Sequence, residues 1–136
     1  MVLPQVMLAR PERELAALDG VAEIKLDGYR CLAWHERGRA GMATRRGTRI
    51  EGRFPEVATT LLAELPAGSL VDGELVMLTG GRCDLGALSR RLAQGEARAR
   101  AAARRQPALL VVFDLLRLAG REVVRLPFAE RRTLLA

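Results

Sequence analysis

Lys25 is the only lysine in the chain; the other 21 of its 22 basic residues are arginine. It sits in Glu23-Ile24-Lys25-Leu26-Asp27-Gly28-Tyr29-Arg30. An arginine guanidinium stays protonated and is a poor nucleophile, whereas a lysine amine can lose its proton and attack an electrophile. Where charge alone is wanted this chain uses arginine, so Lys25 reads as a chemical residue. In an extended segment Asp27 lies on the same side as Lys25 and can orient the ammonium. Gly28 is expected to let a ligand approach the backbone. Arg30 is near enough to grip a phosphate or a ribose hydroxyl. A nucleophilic amine beside phosphate-gripping groups points to attack on phosphorus. No glycine-rich run ending in Lys-Ser or Lys-Thr is present, so the site is not a P-loop.

The elements that must position these residues belong to one domain or part of one, at 136 residues and 49% apolar content. With aromatic content of only 4%, the core must be aliphatic. The net charge of +6 favours a polyanionic partner, such as nucleic acid or nucleotide phosphates. Cys31 and Cys83 form no metal-ligand spacing with the lone His35 and read as packing or surface residues. The short apolar start is not a signal peptide, and no apolar run is long enough to span a membrane. The expected location is cytoplasmic.

The pattern predicts an irregular lead-in over residues 1–20 with a short helix around Glu12–Leu18. Strand is expected over Ala22–Leu26 and, after a kink at Asp27-Gly28, over Tyr29–His35. Arg37–Gly41 reads as a hairpin turn and Met42–Arg45 as the return strand. Phe54-Pro55-Glu56 opens a helix that stops before Pro66. Ser69–Leu78 is a strand and Gly80-Gly81 a turn. A helix from about Asp84 carries Leu85, Leu88 and Leu92 on one face and runs on, polar, to about Arg105. Ala108–Leu116 is a buried strand, and a last helix opens at Leu126-Pro127-Phe128. This mixture lacks strict βαβ alternation, so the expected class is α+β with a largely antiparallel sheet.

Lys25-Leu26-Asp27-Gly28-Tyr29-Arg30 resembles motif I, Lys-x-Asp-Gly-x-Arg, of the covalent nucleotidyltransferases: ATP-dependent DNA ligases, RNA ligases and mRNA capping enzymes. Further segments appear in family order. Thr44-Arg45-Arg46-Gly47 with Arg53-Phe54-Pro55-Glu56 is similar to the ligase Ser-Arg-x-Gly segment and its downstream Phe-Pro-Glu. Val71-Asp72-Gly73-Glu74-Leu75-Val76 is similar to motif III. Asp84–Leu92 resembles a segment of bacterial ATP-dependent DNA ligases. Val112-Phe113-Asp114-Leu115-Leu116 is similar to motif IIIa, and Leu126–Arg132 is similar to the family segment C-terminal to that motif.

The resemblance implies an ATP-grasp-like adenylation domain of bacterial DNA-ligase type, with antiparallel sheets flanked by helices. Residues 1–136 would be a partial domain, with motifs I to IIIa within 21–116. It implies that Lys25 takes AMP from ATP, positioned by Asp27. Glu23 and Ile24 would border the adenine, Arg30 and Glu74 would contact the ribose region, Arg45 would sit near phosphate, and Phe113 would stack on the base. Mg²⁺, or Mn²⁺ in its place, would bridge phosphate oxygens, with Glu74 its protein ligand. The implied partner is nicked double-stranded DNA, in repair, recombination or replication.

The chain departs from the family in carrying no second lysine, so the lysine of motif V is not in it. It is expected to be incomplete at the C-terminus, without motif IV or the OB-fold domain, unless another segment or chain supplies them. Weak or no ligase activity is the expectation for this fragment. The rival readings are an RNA-ligase or capping-type enzyme, and a non-catalytic truncated fragment that binds nucleotide weakly or self-associates. Residues Arg90, Arg91, Arg98, Arg100, Arg104 and Arg105 are read as a solvated helix face with a Glu96–Arg100 pair, ahead of a DNA-tracking stripe. Without further strands, Leu109–Leu116 would be an under-covered apolar edge.

Overall fold

A computed structural model describes residues 3–7 and 21–135, and the helix expected around Glu12–Leu18 falls outside them. Strands β1 (Tyr29–Glu36) and β2 (Arg39–Thr44) form a hairpin across Arg37-Gly38. Both turn residues have positive φ, 51° and 69°, the signature of a two-residue type I′ turn. The turn is shorter than Arg37–Gly41, because Arg39, Ala40 and Gly41 already pair with Glu36, His35 and Trp34. Gly41 must be glycine, since a Cβ there would lie 2.2 Å from the Trp34 ring. Arg37 is less well suited to its place. A non-glycine residue at left-handed φ costs about 1 kcal/mol, and Asn, Asp or Gly is the usual occupant.

A 3₁₀ turn over Glu51–Arg53 leads into α1 (Pro55–Glu64), which begins on proline and ends before Pro66. The long β3 (Ser69–Thr79) turns back through Gly80-Gly81 into the short β4 (Arg82–Cys83). Helix α2 (Leu85–Ala93) is capped by Asp84, whose Oδ1 accepts from the Ala87 amide at 2.8 Å. The continuous helix expected to Arg105 is broken. Gln94 and Gly95 are extended, and α3 (Glu96–Ala103) starts afresh. The interruption turns α3 so that Ala99 and Ala103 are buried, while Glu96 pairs with Arg53 at 3.4 Å rather than with Arg100. β5 (Ala108–Leu118), β6 (Arg121–Glu122) and α4 (Phe128–Leu135) complete the order.

The strands make one antiparallel sheet in the order β2-β1-β3-β5-β6, with β4 pairing β3. The class is α+β. The larger core lies on the helix-bearing side and gathers Cys31, Ala33, Met42, Val71 and Leu75 with Phe54, Val57, Leu61 and Leu88. The alternate residues Leu32, Trp34, Ala43 and Leu70 form a smaller cluster on the opposite side, on which Leu3, Val6 and Leu116 pack. Burial pushes the Cys31 thiol up to about 12, so it is inert packing. His35 Nδ1–H donates to the Leu65 carbonyl at 2.7 Å.

Arg91 does not belong to an exposed stripe. It is 2% exposed, donates to Glu56 Oε1 at 3.0 Å and to the Gln106 carbonyl at 2.7 Å, and pins α2 to α1 and to the entry of β5. Glu56 Oε1 also accepts from the Ala108 amide at 2.9 Å. Arg90, Arg98, Arg100, Arg104 and Arg105 are exposed to varying degrees. Leu109 and Val111, at 48% and 41% exposure, mark the outer side of β5, which pairs no strand there among the described residues.

Candidate active site

Arg30, Asp72 and Glu74 occupy the face of the sheet opposite the larger core, in step with Leu32, Trp34 and Leu70. β1 and β3 pair Arg30 with Glu74. Arg30 Nη2 donates to Asp72 Oδ2 at 2.7 Å, and its Nε lies 3.1 and 3.2 Å from the two oxygens. The guanidinium also donates to the Met7 carbonyl. Asp72 is 3% exposed and Arg30 half-buried, so this bidentate grip fixes the arginine in one pose. The hydrogen bond to Asp72 leads in raising the Arg30 pKa, which keeps the group cationic.

Phe113 reaches the same face through an irregularity. Asp72 pairs with Asp114 and Gly73 with Val112, so Phe113 is the extra residue of a β-bulge. A bulge re-aims a side chain and bends its strand. The Arg30 guanidinium carbon lies 5.5 Å from the Phe113 ring centroid. Two arginines of α4 hold the bulged strand. Arg131 grips Asp114 with donations of 2.7 and 2.8 Å and the Leu126 carbonyl at 2.6 Å. Arg132 donates to the Phe113 carbonyl at 3.2 Å and pairs with Glu23 at 3.5 Å, linking the segment before Lys25 to the bulge.

The lysine is carried off the sheet. Residues 21–26 form no strand, contrary to the pattern's expectation, and regular pairing starts only at Tyr29. Alternation alone does not make a strand where no neighbour takes up the backbone hydrogen bonds. Ile24 is 88% exposed and the Lys25 side chain 89% exposed, with Nζ 3.9 Å from Asp27 Oδ1. This is a solvated ion pair that orients the amine weakly. Gly28 anchors the segment in a way the sequence did not suggest. A Cβ at that position would lie 2.3 Å from the Leu75 carbonyl and 2.8 Å from Val76, so the glycine is needed for close approach to β3. Gly28→Ala should therefore cost about 1–3 kcal/mol, as over-packing against backbone does. Urea unfolding should report that loss.

Glu74 is half-buried beside Gly28 and faces Lys25 and Arg30. Burial raises its pKa, and a hydrogen bond from the Gly28 backbone and the charges of Lys25 and Arg30 oppose the rise. As pH climbs through the carboxylate range, the unfolded chain ionises first and the folded state loses relative stability. Glu74→Gln removes that loss. The variant should melt at a higher temperature than wild type at neutral pH, with the difference shrinking towards pH 4, as a pH series of melting curves would show.

The fold thus brings Arg30, Glu74 and Phe113 to one face and ties Glu23 to it through Arg132, whereas Lys25 and Asp27 stand in solvent, with no hydrogen bond or ion pair to those three among the described residues. Arg45 is exposed in the turn after β2, and no hydrogen bond or ion pair among the described residues joins it to them. No group of three or more His, Cys, Asp or Glu side chains suited to a metal occurs among the described residues. Asp72 is committed to Arg30, which leaves Glu74 as one carboxylate that could share a cation with phosphate oxygens. Sequence reasoning missed Asp72, Asp114, Arg131 and Arg132 as positioning residues. For Asp72 a signal existed, since it is two residues from Glu74 on the same strand face.

Residues 7–136 match the family described as the ATP dependent DNA ligase domain. The chain is 34% identical over 98% of its length to DNA ligase C of Mycobacterium tuberculosis, and spans 38% of that relative. It is 33% identical over 83% of its length to DNA ligase C2 of Mycolicibacterium smegmatis, spanning 32% of it. Among solved structures, the ligase domain of M. tuberculosis LigD superposes with a TM-score of 0.63 at 27% identity, over 83% of this chain and 34% of that one. A mycobacterial DNA ligase D complexed with ATP and MES gives 0.61 at 26% identity, over the same shares. Motif order, structural superposition and the match over residues 7–136 agree: the chain belongs to the ATP-dependent DNA ligase domain family.

Proposed function

We propose that this chain charges itself with AMP for the sealing of nicks in DNA. The neutral Lys25 amine attacks the α-phosphorus of ATP. A nitrogen–phosphorus bond forms, the bond to the bridging oxygen breaks, and pyrophosphate leaves, while the displaced proton passes to Asp27 or to solvent. Arg30, locked by Asp72, and Glu74 would hold the ribose region, Phe113 and the Glu23-Ile24 backbone the adenine, and Arg45 the phosphates. Glu74 is the candidate to share Mg²⁺ with the phosphate oxygens; the ion would offset charge on the leaving pyrophosphate.

The observation that supports this most directly is the grouping of Arg30, Glu74 and Phe113 on one face of the sheet, with the sole lysine near enough to Glu74 for its charge to act there. The Lys25 side chain stands in solvent, and electrostatic stabilisation is strongest where water is excluded, so charging by this chain alone should be slow. The test is intact mass after incubation with Mg²⁺ and ATP. One adenylate per chain is expected, and an unchanged mass refutes the reading. Charging with GTP in preference to ATP would move the chain to the capping-type enzymes.

A further inference from the structure

The outer end of the β1–β2 hairpin carries a second basic site, remote from Lys25. Arg37, Arg39 and Arg49 surround a pocket of about 490 Å³ whose other walls are Trp34, Glu36 and Ala40. The Arg49 guanidinium lies over the Trp34 ring, 4.7 Å from its centroid, and pairs with Glu51. Trp34 is 6% exposed and seated on Gly41, so the floor is rigid. Arg37 and Arg39 are exposed, and no hydrogen bond or ion pair engages their side chains among the described residues. Glu36 is the one carboxylate lining the pocket.

Arg37 is also in the wrong place for stability. It holds a φ of 51° at the first position of a two-residue turn that Asn, Asp or Gly would fill without strain. An unpaired arginine kept in a strained turn, beside another unpaired arginine and an arginine braced on tryptophan, suits an external anion. The placement says which anion. Trp34 and Arg30 share one face of β1, four residues apart, which is about 13 Å of extended chain. Arg37 lies three residues past Trp34, about 23 Å of extended chain from Arg30, so a duplex running along β1 and advancing about 3.4 Å per base pair would meet the hairpin roughly seven base pairs from Arg30.

We infer that Arg37, Arg39 and Arg49 form a phosphodiester-binding site that holds the duplex DNA backbone well to one side of the nick. This rests on the nick-sealing reading, and it adds a contact that anchors the duplex without reading sequence. Arg49 is braced by Trp34 and Glu51, whereas Arg37 and Arg39 are free to swing onto successive phosphates.

The experiment titrates a nicked DNA duplex, without nucleotide, into wild-type chain and the Arg37→Asn/Arg39→Gln variant across a salt series. The dissociation constant should rise about tenfold at low salt. The slope of log K against log salt should become shallower by about 2, one unit for each lost phosphate contact. Arg37→Asn alone should raise the melting temperature while weakening DNA binding, the opposite of what a purely structural arginine would do. Unchanged affinity and slope in the double variant overturn the inference, as does a wild type that does not bind the duplex. An effect confined to an RNA duplex overturns it too. Adenylate formation, measured separately, should be the same in both proteins. If it fails in wild type, the charging reading falls while the DNA titration still decides the hairpin.

Discussion

Lys25→Ala should abolish adenylate formation outright, and Lys25→Arg should do the same. The first variant has no attacking nitrogen, and the second carries a guanidinium that stays protonated. The side chain is 89% exposed and its one ion pair, at 3.9 Å, is solvated, so neither change should move the unfolding free energy by more than about 0.5 kcal/mol. Loss of chemistry without loss of fold is the signature sought. Intact-mass analysis after incubation with ATP and Mg²⁺ would read the first, and urea unfolding the second. An adenylate adduct on Lys25→Ala would place the nucleophile elsewhere and remove the basis of the proposed function.

The largest stability effect should come from Arg91→Met. The arginine is 2% exposed, and its partner Glu56 keeps a second buried oxygen, Oε2, that already lacks a hydrogen-bond partner. Removing the cation strands a largely buried carboxylate, at a cost of about 3–5 kcal/mol. Adding Glu56→Gln should recover much of that. The amide is neutral and its oxygen still accepts from the Ala108 amide, whereas Glu56→Leu would leave that amide unpaired at the entry to β5. Denaturant midpoints of the single and double variants form the check. If Arg91→Met costs under 1 kcal/mol, the ion pair does not hold α1, α2 and β5 together.

Much of the fold is legible in the sequence. The strands at Tyr29–His35, Ser69–Leu78 and Ala108–Leu116, and the helix opening on Pro55, come from local patterns of apolar residues, proline and glycine. The one-dimensional pattern could not show what depends on neighbours in space. Residues 22–26 alternate like a strand but have no adjacent strand to pair with among the described residues. Arg91 looks like one more member of an arginine run until α2 rotates it inward against Glu56. The bulge at Phe113 arises because β5 carries one more residue than β3 between two paired positions, a mismatch that exists only once the strands are aligned. Gly28 was legible as special, but the reason, a carbonyl of Leu75 against its Cα, belongs to the packing of β3.

The half-bare flank of β5 has a consequence at the bench. Two copies meeting rim to rim would each find unspent amides and carbonyls beside greasy Leu109 and Val111, so concentrated solutions should tend to clump. The surplus of six positive charges keeps molecules apart, and added salt screens that repulsion within roughly 10 Å at 0.1 M. The ionic conditions that keep this protein dispersed are therefore also those in which it should grip a polyanion most firmly.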